Sequence, residues 1–385
     1  MVFEVRLTYK FNNDEKKVDI DKKEYLIPAD VEFFFREGDS IYVDSGDEVK
    51  INQLLIESSL GVKTYSSVAG VVEWKNDSLV IKNDNSDATL DYGDSILDIS
   101  ELKKDEIIDI CQKLGVSYDN KLISNKLKFN NKVLVVNGLD IEPYQFNSNY
   151  IFQDHIKNML DTIDLLSRRL NLDAYLMLSK YDDNNVYSVK TLLTSYPNVN
   201  LIVVNEVFPY NTNMVLLHKY FKEYKYDEVL LFDALSLFKL FVALKERKVV
   251  TEKMITVMLD DSSKAYVINS RYGANLKEVI SKTIGCSFEN KDIYLNNFMR
   301  KIKCVNIDSL TVTDNIKAVY IFEKDDSVPT KCIKCGKCVE ICPVGINPLD
   351  RKLDSACIRC GLCNYVCPAN KNLISREKEI WKRDF

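Results

Sequence analysis

Eight of the chain's 11 cysteines stand in two copies of one spacing. The first copy is Cys332-x2-Cys335-x2-Cys338-x3-Cys342-Pro343 and the second is Cys357-x2-Cys360-x2-Cys363-x3-Cys367-Pro368. Three cysteines separated by pairs of residues let one short loop wrap three corners of an iron–sulfur cubane. The fourth, followed by a chain-turning proline, points away toward a neighbouring cage. The spacing predicts two [4Fe-4S] clusters, one on Cys332, Cys335, Cys338 and Cys367, the other on Cys357, Cys360, Cys363 and Cys342.

Gly336, Gly345 and Gly361 lie in these runs and let backbone amides approach cluster sulfides, although plain tight turns would use them equally well. Zinc ribbons pair C-x2-C units, but a third cysteine at the same step and a fourth before proline do not make a tetrahedral zinc set. Disulfides belong to secreted chains, and no such context is visible. Cys111, Cys286 and Cys304 are isolated among apolar residues and read as small buried hydrophobes. His155 and His218 have no partner spacing for metal or nucleophile chemistry and read as helix surface or core residues.

The elements that must carry the cysteines form a large chain. At 385 residues, it exceeds what one hydrophobic core usually covers, so two to four domains are expected. Hydrophobic residues at 46% and charged residues at 28% suit packed globular domains rather than disorder. A formal charge of -5 argues against nucleic acid as the main partner, since phosphate binding needs a basic field.

The most apolar stretch, from Val229 to Leu244, is interrupted by Asp233 and Lys239 and reads as a buried helix rather than a membrane span. The amino-terminal residues lack the basic and apolar regions of a signal peptide. A cytoplasmic protein is expected, with peripheral attachment to the inner face of the cell membrane as the alternative. Only 12 glycines are present, where average usage would give about 27. Phosphate-cradling loops consume glycine, so the deficit weighs against one.

The expected organisation is a multidomain mixture of α/β and α+β units. Residues 1–95 are rich in short strands (Val2 to Leu7, Ile41 to Val43, Val71 to Trp74, Leu79 to Ile81) and predict an all-β module. Residues 96–246 alternate strand and helix, which predicts a mostly parallel sheet. Residues 247–299 read as a compact β-rich unit ending in a helix from Leu276 to Lys282. Residues 300–385 carry the two cysteine runs.

The order of these parts resembles the RnfC family, the cluster-bearing subunits of Rnf ion-pumping electron-transfer complexes, and its relatives in corrin reductases and proline-reductase-associated proteins. Besides the cysteine runs, the resemblance rests on three segments. They are Ser45-Gly46-Asp47-Glu48-Val49-Lys50, Ser67-Val68-Ala69-Gly70 and Asn137-Gly138-Leu139-Asp140-Ile141-Glu142-Pro143-Tyr144. It implies an N-terminal β barrel-sandwich module, a Rossmann-like α/β domain like the complex I flavoprotein subunit, an SLBB-like β-grasp unit and a C-terminal dicluster ferredoxin domain.

In that family the α/β domain binds FMN and NADH through a glycine-rich loop before the Asn-Gly strand. Here that loop, residues 115–124, keeps Gly115 alone and carries the bulky Tyr118 and Leu122. Where the family has Tyr-Pro-x-Gly-x-Glu, this chain reads Phe208-Pro209-Tyr210-Asn211-Thr212-Asn213. Where the family has Asn-Val-Gly-Thr, it reads Asp233-Ala234-Leu235-Ser236. The expectation is an electron-transfer subunit that relays electrons between redox protein partners with its own FMN/NADH site lost and no catalytic residue. The alternative is an FMN-containing NADH:acceptor oxidoreductase subunit feeding the clusters.

Overall fold

The computed structural model describes residues 18–118, 121–259, 264–350 and 357–374. The strand expected from Val2 to Leu7 lies outside them.

Near the amino terminus two small antiparallel sheets face each other. One runs in the order Asp30–Phe34, Ser78–Asn83, Gly70–Lys75, Glu48–Val49, and the other in the order Ser40–Ile41, Leu54–Glu57, Lys63–Tyr65. Alternating residues such as Val31, Val72, Leu79 and Ile81 turn inward and are fully buried. Gly70 is required where its strand crosses the next, because a Cβ there would lie 1.8 Å from the Lys82 carbonyl oxygen. This core continues without a break into Ile255, Val257, Ile268, Leu276 and Val319 from far down the chain.

The central unit is a four-stranded parallel sheet in the order Val199–Val204, Asp173–Ser179, Val133–Asn137, Val229–Asp233. Helices Lys104–Lys113, Asn147–Leu170 and Ala234–Glu246 cover one face, and Asn213–Tyr220 covers the other. Successive strands step one way from Val133–Asn137 and then cross to its other side. The order therefore reverses between Val133–Asn137 and Val229–Asp233, the place where open parallel sheets bind ligands beyond their carboxyl ends.

The stretch from Val229 to Leu244, expected as one helix, is instead the strand Val229–Asp233 followed by the helix Ala234–Glu246. Asp233 divides them by capping the helix, its Oδ1 accepting from Ser236 N–H at 2.8 Å. A strand buried on both faces reads as an unbroken apolar run, which periodicity cannot tell from a buried helix.

The third sheet has five strands in the order Asp19–Tyr25, Lys264–Arg271, Glu252–Leu259, Ala318–Glu323, Lys291–Leu295, with helix Leu276–Ile284 packed on it. It differs from the expected unit at both ends. Asp19–Tyr25 joins it in parallel from the amino-terminal region, and Ala318–Glu323 lies beyond the expected boundary at 299/300. Fully buried Tyr320 holds that last strand in place by donating its hydroxyl to the Pro143 carbonyl oxygen.

The cysteine runs follow this sheet. Their only helices among the described residues are the single turns Lys337–Glu340 and Leu362–Tyr365.

Candidate functional site

The two cysteine runs fold alike. Lys334 and Arg359, each two residues after the first cysteine of its run, take left-handed φ values of 55° and 53°. That turn aims the Lys334 N–H at Cys332 Sγ and the Arg359 N–H at Cys357 Sγ, both at 3.4 Å. Gly336 and Gly361, also left-handed at 79° and 88°, start the two single-turn helices. Amide donors aimed at cysteine sulfur are the protein's means of tuning a cluster.

The fourth cysteine of each run stands with the other run. Cys332, Cys335, Cys338 and Cys367 line one cavity of about 140 Å³, together with Ile333 and Pro368. Burial raises the Cys338 pKa, and Cys367 and Cys335 add to the rise as charged neighbours. Burial pushes Cys360 up to about 11 and Cys363 to about 12, with Cys342 and Cys357 adding to both. Among the described residues, no three His, Cys, Asp or Glu side chains gather at the spacing of a single metal ion. A four-iron cage takes one thiolate per corner and needs them spread around a volume.

The two runs differ in their surroundings. Cys332 and Cys335 are exposed, and a Cβ on Gly336 would meet open space. The second run is docked onto the turn Phe298–Arg300 so closely that a Cβ on Gly361 would lie 2.6 Å from the Arg300 nitrogen. Asn297 Nδ2 donates to the Cys360 carbonyl at 3.1 Å, and Arg300 Nε donates to the Arg359 carbonyl at 3.1 Å. Asn364, fully buried, donates to the Arg300 carbonyl at 2.9 Å. Phe208, Met299, Ile341 and Leu362 close an apolar seam beside Cys360. Sequence reasoning missed Asn297, Phe298 and Asn364. The one hint was a polar Asn364 in the second run where the first has Val339.

Beyond the carboxyl ends of Val133–Asn137 and Val229–Asp233 lies a second cavity of about 400 Å³, lined by Asn137, Glu142, Asn213, Lys239, Lys253 and Lys317 among others. Its groups are tied to one another. Asn137 Nδ2 donates to Asn213 Oδ1 at 2.6 Å, and Asn213 Nδ2 donates to the Tyr118 hydroxyl at 3.2 Å. Lys253 Nζ donates to the carbonyl oxygens of Thr313 and Asp314 at 2.7 and 2.6 Å. Burial lowers the Lys253 pKa to about 7 against the opposing pull of Asp314.

Glu142 is raised to about 6 by burial, offset by Arg300 and Lys317. Elsewhere in the parallel-sheet unit, burial and then the Asp140 charge raise Glu206 to about 8 while Ser179 and Asn211 hydrogen-bond to it. The residues do not fit a flavin phosphate. Gly138 is consumed in packing, where a Cβ would press on Leu178, Phe152 and the Met177 carbonyl, and the bulky Tyr118 side chain, not a run of glycines with free amides, lines the cavity.

Cys111 is fully buried, and Cys286 and Cys304 pack beside the N-terminal core. His155 stacks on Phe238 with centroids 4.3 Å apart. No helix among the described residues is long and apolar enough to cross a membrane.

Two family models, each described as a 4Fe-4S binding domain, match residues 328–346 and 354–370. The RnfC-type C subunit of the ion-translocating oxidoreductase complex of Buchnera aphidicola subsp. Acyrthosiphon pisum (strain APS) is 24% identical over 334 residues, covering 78% of this chain and 70% of that protein. Among solved structures, an NAD+-reducing [NiFe]-hydrogenase in the H2-reduced state superposes with a TM-score of 0.46 at 10% identity over 58% of this chain. The air-oxidised state gives 0.45 at 12% identity over 57% of this chain. This chain spans about half of those hydrogenase chains, 47% in each case. With two iron–sulfur segments at its carboxyl end and a likeness to the Buchnera protein over most of its length, the chain is an RnfC-like electron-transport protein.

Proposed function

We propose that the chain is a one-electron relay in which Cys332, Cys335, Cys338 and Cys367 hold one [4Fe-4S] cluster and Cys357, Cys360, Cys363 and Cys342 hold the other. The observation that carries this reading is the exchange of fourth cysteines, with Cys367 beside Cys335 and Cys338, and Cys342 beside Cys360 and Cys363. When bound, the clusters accept and release single electrons without bond chemistry on the chain.

The protein's own residues position, tune and insulate. The Lys334 and Arg359 amides face sulfur. Phe208, Met299 and Leu362 exclude water from one side of the docked run. The exposed run is left open to a partner. The parallel-sheet unit, Rossmann-like in its strand order, serves as a scaffold, and the five-stranded sheet is its SLBB-like neighbour. Redox proteins, in a membrane-peripheral or a soluble reductase complex on the cytoplasmic side, would supply and remove electrons.

The competing reading, an FMN-dependent NADH oxidoreductase subunit, draws support from the 400 Å³ cavity at the point where the strand order reverses. Oxygen-free purification followed by iron, sulfide and flavin analysis separates the two. About eight irons per chain, no extractable flavin and no bleaching by NADH are expected. Stoichiometric flavin with NADH-driven reduction would replace the relay by the second reading, and zinc in place of iron would remove both.

A further inference from the structure

We propose that Asn364 is a positioning residue that holds the potential of the docked cluster below that of the exposed one, so that an electron in the chain moves from the docked cluster to the exposed one. The inference rests on the cluster reading above and adds a direction of flow to it.

The two runs serve as each other's control. Their loops share the left-handed turn and the backbone amide 3.4 Å from the first cysteine's sulfur, so that tuning device is matched. They part at the residue after the third cysteine, which is Val339 in the first run and Asn364 in the second. Val339 is 40% exposed, whereas Asn364 is fully buried. A buried amide must have its polar atoms paired, and here the pairing ties three chain segments together. Asn364 Nδ2 donates to the Arg300 carbonyl oxygen and to Asn372 Oδ1, both at 2.9 Å, and Asn364 Oδ1 accepts from the Leu373 N–H at 2.6 Å. Turning the amide over would set its oxygen against two acceptors and its nitrogen against a donor. The bonds themselves therefore fix its orientation.

That orientation holds the amide oxygen 3.8 Å from Cys363 Sγ. As a thiol, Cys363 donates weakly to it. As a cluster ligand Cys363 is a thiolate with no hydrogen to give, and the negative end of the amide dipole then faces an electron-rich sulfur. Each arriving electron adds negative charge to the cage, so the dipole disfavours the reduced state and lowers the potential. Burial acts in the same direction, because low-dielectric surroundings strengthen that dipole and penalise added charge. The first run is the reverse. Cys332 and Cys335 are exposed, Val339 offers no dipole, and a lysine precedes each of Cys332, Cys335 and Cys338. Water and cations both favour the reduced state there. In the transfer the docked cluster is oxidised by one electron and the exposed cluster is reduced by it, and no bond is made or broken.

The test is an oxygen-free redox titration of the iron-loaded full chain, followed by electron paramagnetic resonance at about pH 8, well above the ordinary carboxyl range. The native chain is expected to be reduced in two steps, the exposed cluster first. Cys367→Ser, which keeps the docked cluster, identifies its step. Asn364→Val gives the second run the first run's residue. It should favour reduction of the docked cluster roughly tenfold, about 59 mV upward for one electron, and leave the other step in place. Asn364→Asp keeps the shape and puts a charge where the dipole was, so it should move the docked step downward. A side chain that only ties segments together would shift both variants in the same direction.

Should Asn364→Val lose the docked iron, Asn364→Thr is titrated in its place. Its hydroxyl can donate to sulfur, and an upward shift is again expected. Equal potentials, or a docked cluster that is reduced first, overturn the direction of flow. Shifts of one sign in the valine and aspartate variants, or loss of the docked iron in all three, overturn the tuning role and leave Asn364 a structural tie. Native chain that binds far fewer than about eight irons overturns the cluster reading itself.

Discussion

Asn137 Nδ2 donates to Asn213 Oδ1 at 2.6 Å, joining the end of the strand Val133–Asn137 to the start of the helix Asn213–Tyr220. With the Tyr118 hydroxyl accepting from Asn213 Nδ2 at 3.2 Å, three of the side chains that line the 400 Å³ cavity are tied to one another. A ligand that displaced them would leave amide groups to find new partners, at about 1–3 kcal/mol per orphaned group. Equilibrium dialysis against FMN should show no stoichiometric binding to the native chain. Asn213→Ala, which unlinks Asn137 and Tyr118, should leave cluster content intact, as measured by iron analysis and electron paramagnetic resonance.

Replacing a fourth cysteine should damage the cluster of the other run. Cys342→Ser is expected to deplete the docked cluster on Cys357, Cys360 and Cys363 and spare the exposed one, taking iron from about eight toward about four per chain. Cys367→Ser should do the converse. The two residual clusters, one buried against Met299 and one facing solvent, should differ in their electron paramagnetic resonance spectra and in their rate of destruction by oxygen. Loss of the cluster of the same run instead would reverse the assignment.

The two equivalent glycines should respond unequally. Gly336→Ala meets open space and pays only for a left-handed φ, about 1 kcal/mol. Gly361→Ala adds a collision with the Met299–Arg300 backbone at 2.6–2.7 Å, which no rotamer change relieves. Melting followed by circular dichroism, with iron release recorded in parallel, should show a small shift for the first. The second should lose the docked cluster well before the rest of the fold melts.

Stability should fall as pH rises through the window set by the buried acids. Burial and the Asp140 charge raise Glu206 to about 8, and burial raises Asp140 to about 6. The folded chain therefore keeps protons that the unfolded chain has already lost above about pH 4.5. Between that pH and about 8 the folded state binds more protons, so the stabilisation present at low pH is progressively lost. Glu206→Gln cannot lose a proton. It should match native at pH 5 and exceed it at pH 9 by roughly a few kcal/mol, read as melting temperature against pH. A variant less stable than native at pH 9 would mean that the Glu206 carboxylate is stabilised by its surroundings.

The cysteine runs were legible because their chemistry is local. Ligand spacing, left-handed turns and chain-turning prolines act within about a dozen residues, so sequence alone determined a two-cluster segment and its likeness to RnfC proteins. Much of the strand and helix alternation between residues 104 and 220 was legible too, through periodicity, but the division of the next apolar run into the strand Val229–Asp233 and the helix Ala234–Glu246 was not. Contacts between distant residues settled the rest. Asp19–Tyr25 pairs with Lys264–Arg271, and Ala318–Glu323 completes the same sheet, because an unpaired strand edge is filled by whatever chain segment the fold brings there. The inequality of the two cysteine runs is likewise tertiary. The same loop conformation became a buried station where Phe298–Arg300 lies against Gly361, and an open one at Gly336, where no described residue comes within 4 Å of an added Cβ.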